Sequence, residues 1–157
     1  MVEFDTIDRA ILGLLQTDAS KSVQDVADAV GLSQNPCWRR IKRLEHDGII
    51  ERRVALVDPI AVGLGVTVFV SLKTSRHNAK WLSRFADGVE KIPEITEVYR
   101  MSGDIDYLLK VLVASIDDYD RVYQKLIEVA ELADVSSSFA MERMKFSTAV
   151  AIPEPKS

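Results

Sequence analysis

Residues 22–48 read SVQDVADAVGLSQNPCWRRIKRLEHDG and carry the signals of two helices joined by a short turn. Ser22 and Asp25 form the S-x-x-D pattern that caps a helix N-terminus, and apolar residues follow at helical spacing. Gly31 stands where this helix is predicted to end, because glycine readily adopts the conformation found just past a helix C-terminus. Ser33 then opens the second helix of the pair.

The second helix of this pair has an apolar face and a basic face. Cys37, Ile41 and Leu44 follow one another at spacings of four and three, which predicts a buried stripe. Pro36 falls at the third helical position, where its missing N–H would have no intrahelical partner. The basic residues lie off this stripe and are predicted to project outward; they are Arg39, Arg40, Lys42 and Arg43.

Charge is unevenly distributed along the chain of 157 residues, whose formal net charge is −4. Residues 33–53 carry six basic and three acidic side chains, whereas residues 1–32 carry two basic and six acidic ones. A basic segment between acidic neighbours favours an anionic partner that is met locally. A solvated helix face is the alternative interpretation of the same charges.

A further helix precedes the pair, and either Asp5 or Thr6 can cap its start. Its apolar stripe consists of Ile7, Ile11, Leu14 and Leu15. Two helices joined by a glycine-containing turn, the second one basic, are typical of a helix-turn-helix. A DNA major groove about 12 Å wide admits one such helix, and arginine pairs bidentately with guanine edges. We therefore predict a DNA-binding domain over residues 1–57.

The candidate DNA contacts lie on the second helix of the pair and just beyond it. Gln34 and Asn35 can read adenine or bind phosphate. Trp38 either stacks on a sugar or packs at the helix flank, and packing is favoured. The predicted set is Ser33, Gln34, Asn35, Trp38, Arg39, Arg40, Lys42, Arg43, Arg52 and Arg53.

Residues 49–59, IIERRVALVDP, follow the helix pair and predict two short strands, one over 49–50 and one over 54–57. Between them lie Arg52 and Arg53, so the pair would form a basic wing able to contact the phosphate backbone. The alternative is a strand pair that only closes the small domain.

Cys37 is the single cysteine, which excludes an intramolecular disulfide and a cysteine-rich zinc site. A redox or nucleophilic role is the alternative to a buried hydrophobe, and its place on the apolar face favours burial. No apolar run approaches the roughly 20 residues that span a bilayer, and the acidic start lacks the features of a signal peptide. A cytoplasmic protein is expected, and no catalytic set or metal site is predicted.

Beyond a linker at residues 58–65, the pattern over residues 66–157 predicts an α+β domain. The order is strand, helix, strand, strand, helix, strand, which is the ferredoxin-like βαββαβ arrangement. The predicted bounds are 66–73, 78–92, 95–101, 107–113, 117–130 and 135–145. One sheet face takes both helices. Phe69 lies on the other face, which we expect to pair with a second subunit because an uncovered apolar face is costly.

Four long segments carry a resemblance to a known family. They are DTIDRAILGLLQTDAS at 5–20, DVADAVGLSQNPCWRRIKRLEHDGII at 25–50, MSGDIDYLLKV at 101–111 and SSFAMERMK at 137–145. The chain resembles the leucine-responsive/asparagine-regulator (Lrp/AsnC) family of transcription factors over nearly its whole length. Within that family, PCWRRIKRLEHDGI, VALVDPIAVGLG and SSFAME are most similar to the DecR branch, which is associated with cysteine sensing.

The resemblance implies a winged helix-turn-helix followed by an amino-acid-binding domain that forms dimers through its sheets, often assembled into octamers. It also implies a small amino acid, with cysteine as the candidate, bound at the interface between dimers, and no other cofactor. The residues carried over to this effector site are Met101, Ser102, Gly103, Asp104, Asp106, Tyr107 and Ser137. Gly103 would allow close backbone approach, and Asp104 or Asp106 could meet the ligand's ammonium group.

Other interpretations of these residues stay open. The SGD sequence between two strands is ordinary hairpin chemistry, and Asp106 could hold that hairpin instead of a ligand. Residues 136–138, Ser137 included, could face solvent on the last strand instead of meeting a ligand.

Two rival functions also share this organisation. Siroheme decarboxylase subunits have the same two-domain plan, but they would need histidine near a tetrapyrrole, and neither His46 nor His77 lies by the SGDID loop. An amino-acid-binding assembly protein with an idle DNA domain is the second rival, and the arginine cluster argues against it.

Overall fold

The computed structural model describes residues 5–76 and 78–154. The chain forms two compact units: one comprises residues 1–55 together with the segment from Met144 onward, and the other comprises Leu56–Arg143. The terminal segment therefore differs from its predicted place in the second domain. Ile152 packs against the helical core of the first unit, and the backbone N–H of Val150 donates to Gln16 Oε1 at 2.7 Å.

The described part of the first unit contains three helices, α1 (Thr6–Thr17), α2 (Val23–Ala29) and α3 (Gln34–His46). Asp5 caps α1 in a reciprocal capping box with Asp8, and Ser22 caps α2 in the predicted box with Asp25. Ser33 is the N-cap of α3, but its side chain makes no capping hydrogen bond to the described residues. The helix-turn-helix predicted from residues 22–48 is thus confirmed.

The core of the first unit joins the apolar stripes of the three helices. Its buried members are Ile11, Leu12, Val26, Ala27, Cys37, Ile41 and Leu44. Burial raises the pKa of the Cys37 thiol, which keeps it protonated and poorly nucleophilic. The contacts therefore agree with the structural interpretation of this cysteine.

The predicted wing strands are wrong, because residues 51–57 adopt neither helix nor strand in the described structure. Ile49 and Ile50 pack instead against the helical core, and the N–H of Ile50 bonds to the carbonyl of Leu44. Residues 54–57 are exposed, and the described chain places no strand beside them to supply a hydrogen-bonded ladder.

The second unit, as far as it is described, is a four-stranded antiparallel sheet with two helices, so the predicted α+β arrangement and its element order are confirmed. Its elements are β1 (Val66–Lys73), α4 (Ala79–Val89), β2 (Ile95–Arg100), β3 (Tyr107–Val113), α5 (Ile116–Val129) and β4 (Asp134–Phe139). The spatial order is β2-β3-β1-β4. The last strand ends well before the predicted residue 145, because β1 begins at Val66 and offers no partner further along.

One face of the sheet is covered by α4 and α5, and its buried residues come from alternate positions of β1 and β3. The two helices approach closely at Gly88, where an added Cβ would lie 2.2 Å from a methyl group of Val129. The opposite face is open. It carries Phe69, which is 38% exposed, and Tyr99, which is 51% exposed.

Candidate functional site

The outer face of α3 gathers part of the predicted DNA-contact set. Its exposed side chains follow one another at helical spacing and are Gln34, Asn35, Trp38, Arg39 and Lys42. Trp38 is 49% exposed, so about half of this residue is open to solvent and packing at the helix flank covers at most the rest. Arg39 is exposed on this face, and within residues 5–76 and 78–154 it makes no ion pair or hydrogen bond.

Arg40 and Arg43 lie off the apolar stripe as predicted, and Arg43 is exposed, but the guanidinium groups of both are paired with carboxylates near the start of α1. Arg40 Nη1 donates to Asp5 Oδ2 at 2.7 Å and to Asp8 Oδ1 at 2.9 Å, and Arg43 donates to the other carboxylate oxygen of Asp8. The side chain of Asp8 is only 1% exposed. A buried carboxylate needs charged hydrogen-bond donors, and these two arginines supply them from the neighbouring helix.

The acidic partners are themselves linked at the start of α1. The N–H of Asp8 donates to Asp5 Oδ1 at 2.9 Å, and the N–H of Asp5 donates to Asp8 Oδ2 at 3.1 Å. The pKa of Asp5 is lowered, mainly by the Asp8 backbone donor and then by Arg40. The pKa of Arg40 is raised, most strongly by Asp5. Four side chains thus form one ion-pair network between α1 and α3.

The remaining basic side chains lie toward the end of α3 and beyond it. Lys42 Nζ donates to Glu45 Oε2 at 2.7 Å, and Arg53 lies 3.3 Å from the other oxygen of Glu45. These cations, Lys42 first, lower the pKa of the Glu45 carboxyl. Arg52 is exposed and has no ion pair or hydrogen bond in the described part of the chain.

Residues 101–106 form the loop between β2 and β3 in the second unit. Gly103 has φ +122°, a conformation that side-chain-bearing residues rarely adopt. Ser102, Gly103 and Asp104 are exposed, and the N–H of Met101 closes the loop by donating to the carbonyl of Asp106 at 2.8 Å. The exposed tip therefore presents backbone N–H groups and one carboxylate to solvent.

Asp106 faces the protein rather than the loop tip. Its Oδ2 accepts from the N–H of Thr74 at 2.8 Å, and its own N–H donates to the carbonyl of Leu72 at 2.9 Å. Thr74 is buried, and its hydroxyl lies 3.5 Å from the carbonyl oxygen of Glu131, just before β4. These contacts favour the alternative in which Asp106 holds the hairpin.

Tyr107 and Ser137 do not join the exposed loop within one chain. Tyr107 is buried among aromatic rings, with its centroid 4.8 Å from that of Phe85. The hydroxyl of Ser137 bonds to the hydroxyl of Tyr119 on the helix-covered face. Ser137 pairs with Val70 of β1, so β1 separates it from β3, a distance of roughly 10 Å.

Two residues that contact predicted site residues, Asp8 and Thr74, are absent from the sites predicted from the sequence. Asp8 could be found as a capping residue, because Asp5 and Asp8 have the spacing of a capping box. Its pairing with α3 spans 32 and 35 positions and has no local signal. Thr74 likewise meets Asp106 across 32 positions.

Among the described residues, no group of three or more His, Cys, Asp or Glu is placed to hold a metal ion. No helix within that part of the chain is long and apolar enough to cross a membrane.

Both units match known protein families. Residues 4–45 match the AsnC-type helix-turn-helix domain, and residues 67–150 match the Lrp/AsnC ligand binding domain. Together these matches cover most of the chain, and one falls mainly in each of the two units.

Two relatives match over nearly the whole chain. The glutamate uptake regulatory protein of Zymomonas mobilis is 49% identical over 152 residues, covering 97% of this chain and 93% of that protein. The DNA-binding transcriptional activator DecR of Escherichia coli is 48% identical over 149 residues, covering 94% of this chain and 98% of that protein. The chain is therefore about equally similar to both.

Solved structures share the fold. An AsnC family transcriptional regulator from Agrobacterium tumefaciens superposes with a TM-score of 0.91 at 52% identity, covering 94% of this chain and 97% of that one. A transcriptional regulator from Neisseria meningitidis, solved in complex with L-Met, gives 0.89 at 30% identity, covering 95% and 97%. With its exposed helix-turn-helix and its four-stranded second unit, the chain belongs to the Lrp/AsnC family and is a DNA-binding transcriptional regulator with an amino-acid effector domain.

Proposed function

We propose that α3 reads DNA in the major groove through its outer face, with Arg39 as the principal base-reading residue. The observation that carries this is the exposed Arg39 guanidinium, which has no ion pair or hydrogen bond among the described residues. A guanidinium that is free of carboxylates can donate both hydrogen bonds to a guanine edge. Arg40 and Arg43 are occupied by Asp5 and Asp8 and are left out of the base-reading set.

The neighbouring residues of α3 extend the proposed contact surface. Gln34 and Asn35 lie one turn before Arg39 and have the amide groups that recognise adenine or a phosphate. The exposed half of Trp38 is placed to cover a sugar. Lys42 and Arg52 supply phosphate contacts. The hydroxyl of Ser33, which makes no capping hydrogen bond to the described residues, is a further donor to phosphate. Arg53 remains paired with Glu45 and is left out of the contact surface.

We also propose that the open sheet face binds a second copy of the chain. Phe69 and Tyr99 are exposed there, and the register places Leu108 and Leu112 on the same face. Covering these apolar side chains favours association, and a twofold dimer presents two copies of α3 to two DNA half-sites. The resemblance to the family supports further assembly of such dimers into octamers.

The effector site is proposed at the tip of the 101–106 loop, where Ser102 and Gly103 offer backbone donors and Asp104 offers a carboxylate. These groups match the carboxylate and the ammonium of a small amino acid. Ser137 and the loop are apart within one chain, so a site containing both would need a neighbouring subunit. The likeness to DecR supports cysteine as the first ligand to test, and the Neisseria structure with L-Met supports amino-acid binding in general.

Two measurements test these proposals. A gel-shift with the protein and its upstream intergenic DNA should give a sequence-specific complex, and failure to bind any duplex would contradict the role of α3. A thermal-shift screen of the twenty amino acids should give a stabilising ligand, because a ligand that binds only the folded state raises the melting temperature. If none of the twenty amino acids raises the melting temperature, the effector proposal fails.

We propose that the chain acts as a regulator and not as an enzyme, and that it acts in the cytoplasm, where bacterial DNA lies. His46 ends α3 in the other compact unit from the 101–106 loop, and His77 lies outside the described residues. A colourless protein without tetrapyrrole affinity would exclude the siroheme decarboxylase alternative.

A further inference from the structure

Asp8 accepts hydrogen bonds from two arginines of the proposed recognition helix and is almost fully buried. The arginines themselves are not buried: the Arg40 side chain is 26% exposed and that of Arg43 is 48% exposed. The network thus lies at the edge of the α3 surface, where its cations would be within reach of a solvent anion if they were released.

Carboxylate and phosphate oxygens compete for the same guanidinium groups, because both accept charge-assisted hydrogen bonds in the same forked geometry. Phosphate contacts add affinity for every DNA sequence alike, whereas base contacts discriminate between sequences. An arginine that is held by Asp8 is therefore withdrawn from the sequence-independent part of binding.

We propose that Asp8, assisted by Asp5, sets the sequence specificity of this regulator by retaining Arg40 and Arg43 in intramolecular ion pairs that phosphates would otherwise replace. This rests on the proposed role of α3 as the recognition helix. Asp8 is a positioning residue in this scheme, since it acts through the arginines and does not touch DNA. Arg39, on the outer face of the same helix, keeps its charge for the base edges.

The balance of charges supports a role beyond holding the helices together. Two carboxylates are matched to two guanidinium groups on the α1 side of α3, while Arg39 on the outer face has no matching carboxylate among the described residues. Lys42 and Arg53 share the single carboxylate of Glu45, so the end of α3 keeps part of its positive charge for a phosphate. Among these arginines of α3, Arg39 is therefore the one whose guanidinium is left for base edges, while Asp5 and Asp8 hold the two on the α1 side.

The test compares Asp8→Asn with the wild-type protein on two duplexes, one selected by the wild type from a random pool and one of scrambled sequence. We expect Asp8→Asn to bind the scrambled duplex about three- to tenfold more tightly, with the selected duplex affected less. The slope of log affinity against log salt for the scrambled duplex should steepen by about one, as expected for one added phosphate contact.

Asp28→Asn is the matched control for the loss of a negative charge. Asp28 is exposed on α2 and accepts a hydrogen bond from Gln24, so its neutralisation changes the net charge equally but releases no arginine. Equal gains in scrambled-duplex affinity for Asp8→Asn and Asp28→Asn would overturn the proposal. A second check combines Asp8→Asn with Arg43→Ala in one protein. The double variant should lose most of the gain in affinity for the scrambled duplex that Asp8→Asn causes. If that gain persists in full, the proposal is overturned.

If Asp8→Asn does not fold, as judged by circular dichroism, the single arginine variants decide the matter. Arg43→Ala should change the affinity for either duplex less than about twofold, while Arg39→Ala should weaken the selected complex at least about fivefold. A loss with Arg43→Ala as large as that with Arg39→Ala shows that Arg43 already binds DNA and overturns the proposal. Failure of the wild type to bind any duplex would instead contradict the proposed role of α3.

Discussion

Arg40 Nη1 lies 2.9 Å from the carboxylate of Asp8, a residue that precedes it by 32 positions and is almost wholly buried. This contact joins the first helix of the unit to the helix that we propose enters DNA. The basic residues of α3 therefore fall into two groups. Arg40 and Arg43 are paired with carboxylates near the start of α1, whereas Arg39 lies on the outer face and is exposed to solvent.

Replacing Asp8 with alanine should destabilise the first unit by about 2 kcal/mol, because it leaves the Arg40 and Arg43 pairs broken. The value is below the roughly 3–5 kcal/mol of a fully buried pair, since both arginines keep access to water. Urea denaturation measures the free energy of unfolding. Asp28→Ala is the control and should change it by less than about 0.5 kcal/mol; similar values for the two variants would contradict the prediction.

Replacing Arg39 with alanine should weaken binding to the cognate duplex by about 1–3 kcal/mol and relax specificity at one base position. The reason is the loss of a guanidinium that has no partner among the described residues and lies on the outer face of α3. Fluorescence anisotropy with cognate and scrambled duplexes measures the two affinities. Arg84→Ala, on α4 of the second unit, should leave both affinities unchanged. Equal weakening of the two duplexes by Arg39→Ala would assign Arg39 to a phosphate instead.

The ion pair of Glu97 should make the second unit sensitive to acid. Hydrogen bonds from Lys110 at 2.6 Å and then from Tyr99 at 2.5 Å lower the pKa of Glu97. A carboxyl whose pKa is lower in the folded state stabilises that state above its unfolded pKa of about 4.3, and this stabilisation is lost as pH falls through the folded value. The melting temperature of the wild type should therefore fall more steeply below about pH 4.3 than that of Glu97→Gln, and parallel curves would contradict this.

Replacing Asp106 with alanine should loosen the 101–106 loop and destabilise the second unit by about 1.5–3 kcal/mol. The variant loses the charged acceptor for the N–H of Thr74, which is buried at the end of β1. Hydrogen exchange at the Thr74 amide measures the change directly. Asp104→Ala, at the exposed loop tip, should leave this exchange unchanged while it weakens amino-acid binding; faster exchange at Thr74 in that variant would refute the separate roles.

Replacing Phe69 with glutamate should prevent self-association without unfolding the protein, because the Phe69 ring is partly exposed on the open sheet face. Sedimentation velocity should show a smaller species than the wild type, with unchanged circular dichroism. Ser83→Glu, on the exposed side of α4, is the control and should assemble normally. A Phe69→Glu protein that still forms the wild-type assembly would contradict the proposed dimer face.

Local patterns account for what was predicted correctly. The Ser22–Asp25 capping box and the stripe of Cys37, Ile41 and Leu44 depend on residues within one or two turns, so the helix pair could be placed from spacing alone. The strand predicted over 66–73 similarly put Phe69 on the sheet face that the helices leave open, because side chains alternate between the two faces. The predicted ends of strands were less accurate, because the partner strand decides where a strand ends. The last strand was predicted to reach residue 145, but β4 ends at Phe139.

The amino-acid sequence by itself therefore determined the order of the elements, their caps and their apolar faces, because these rest on short-range periodicity and backbone chemistry. Only the tertiary structure decided that Arg40 and Arg43 bind Asp5 and Asp8, and that residues 51–57 form no wing strands. It also brought Asp106 to Thr74 across 32 positions. Such contacts depend on how separate elements pack. Arg40 and Arg43 would be exposed on an isolated α3, and they form ion pairs only because folding places the buried carboxylate of Asp8 next to them.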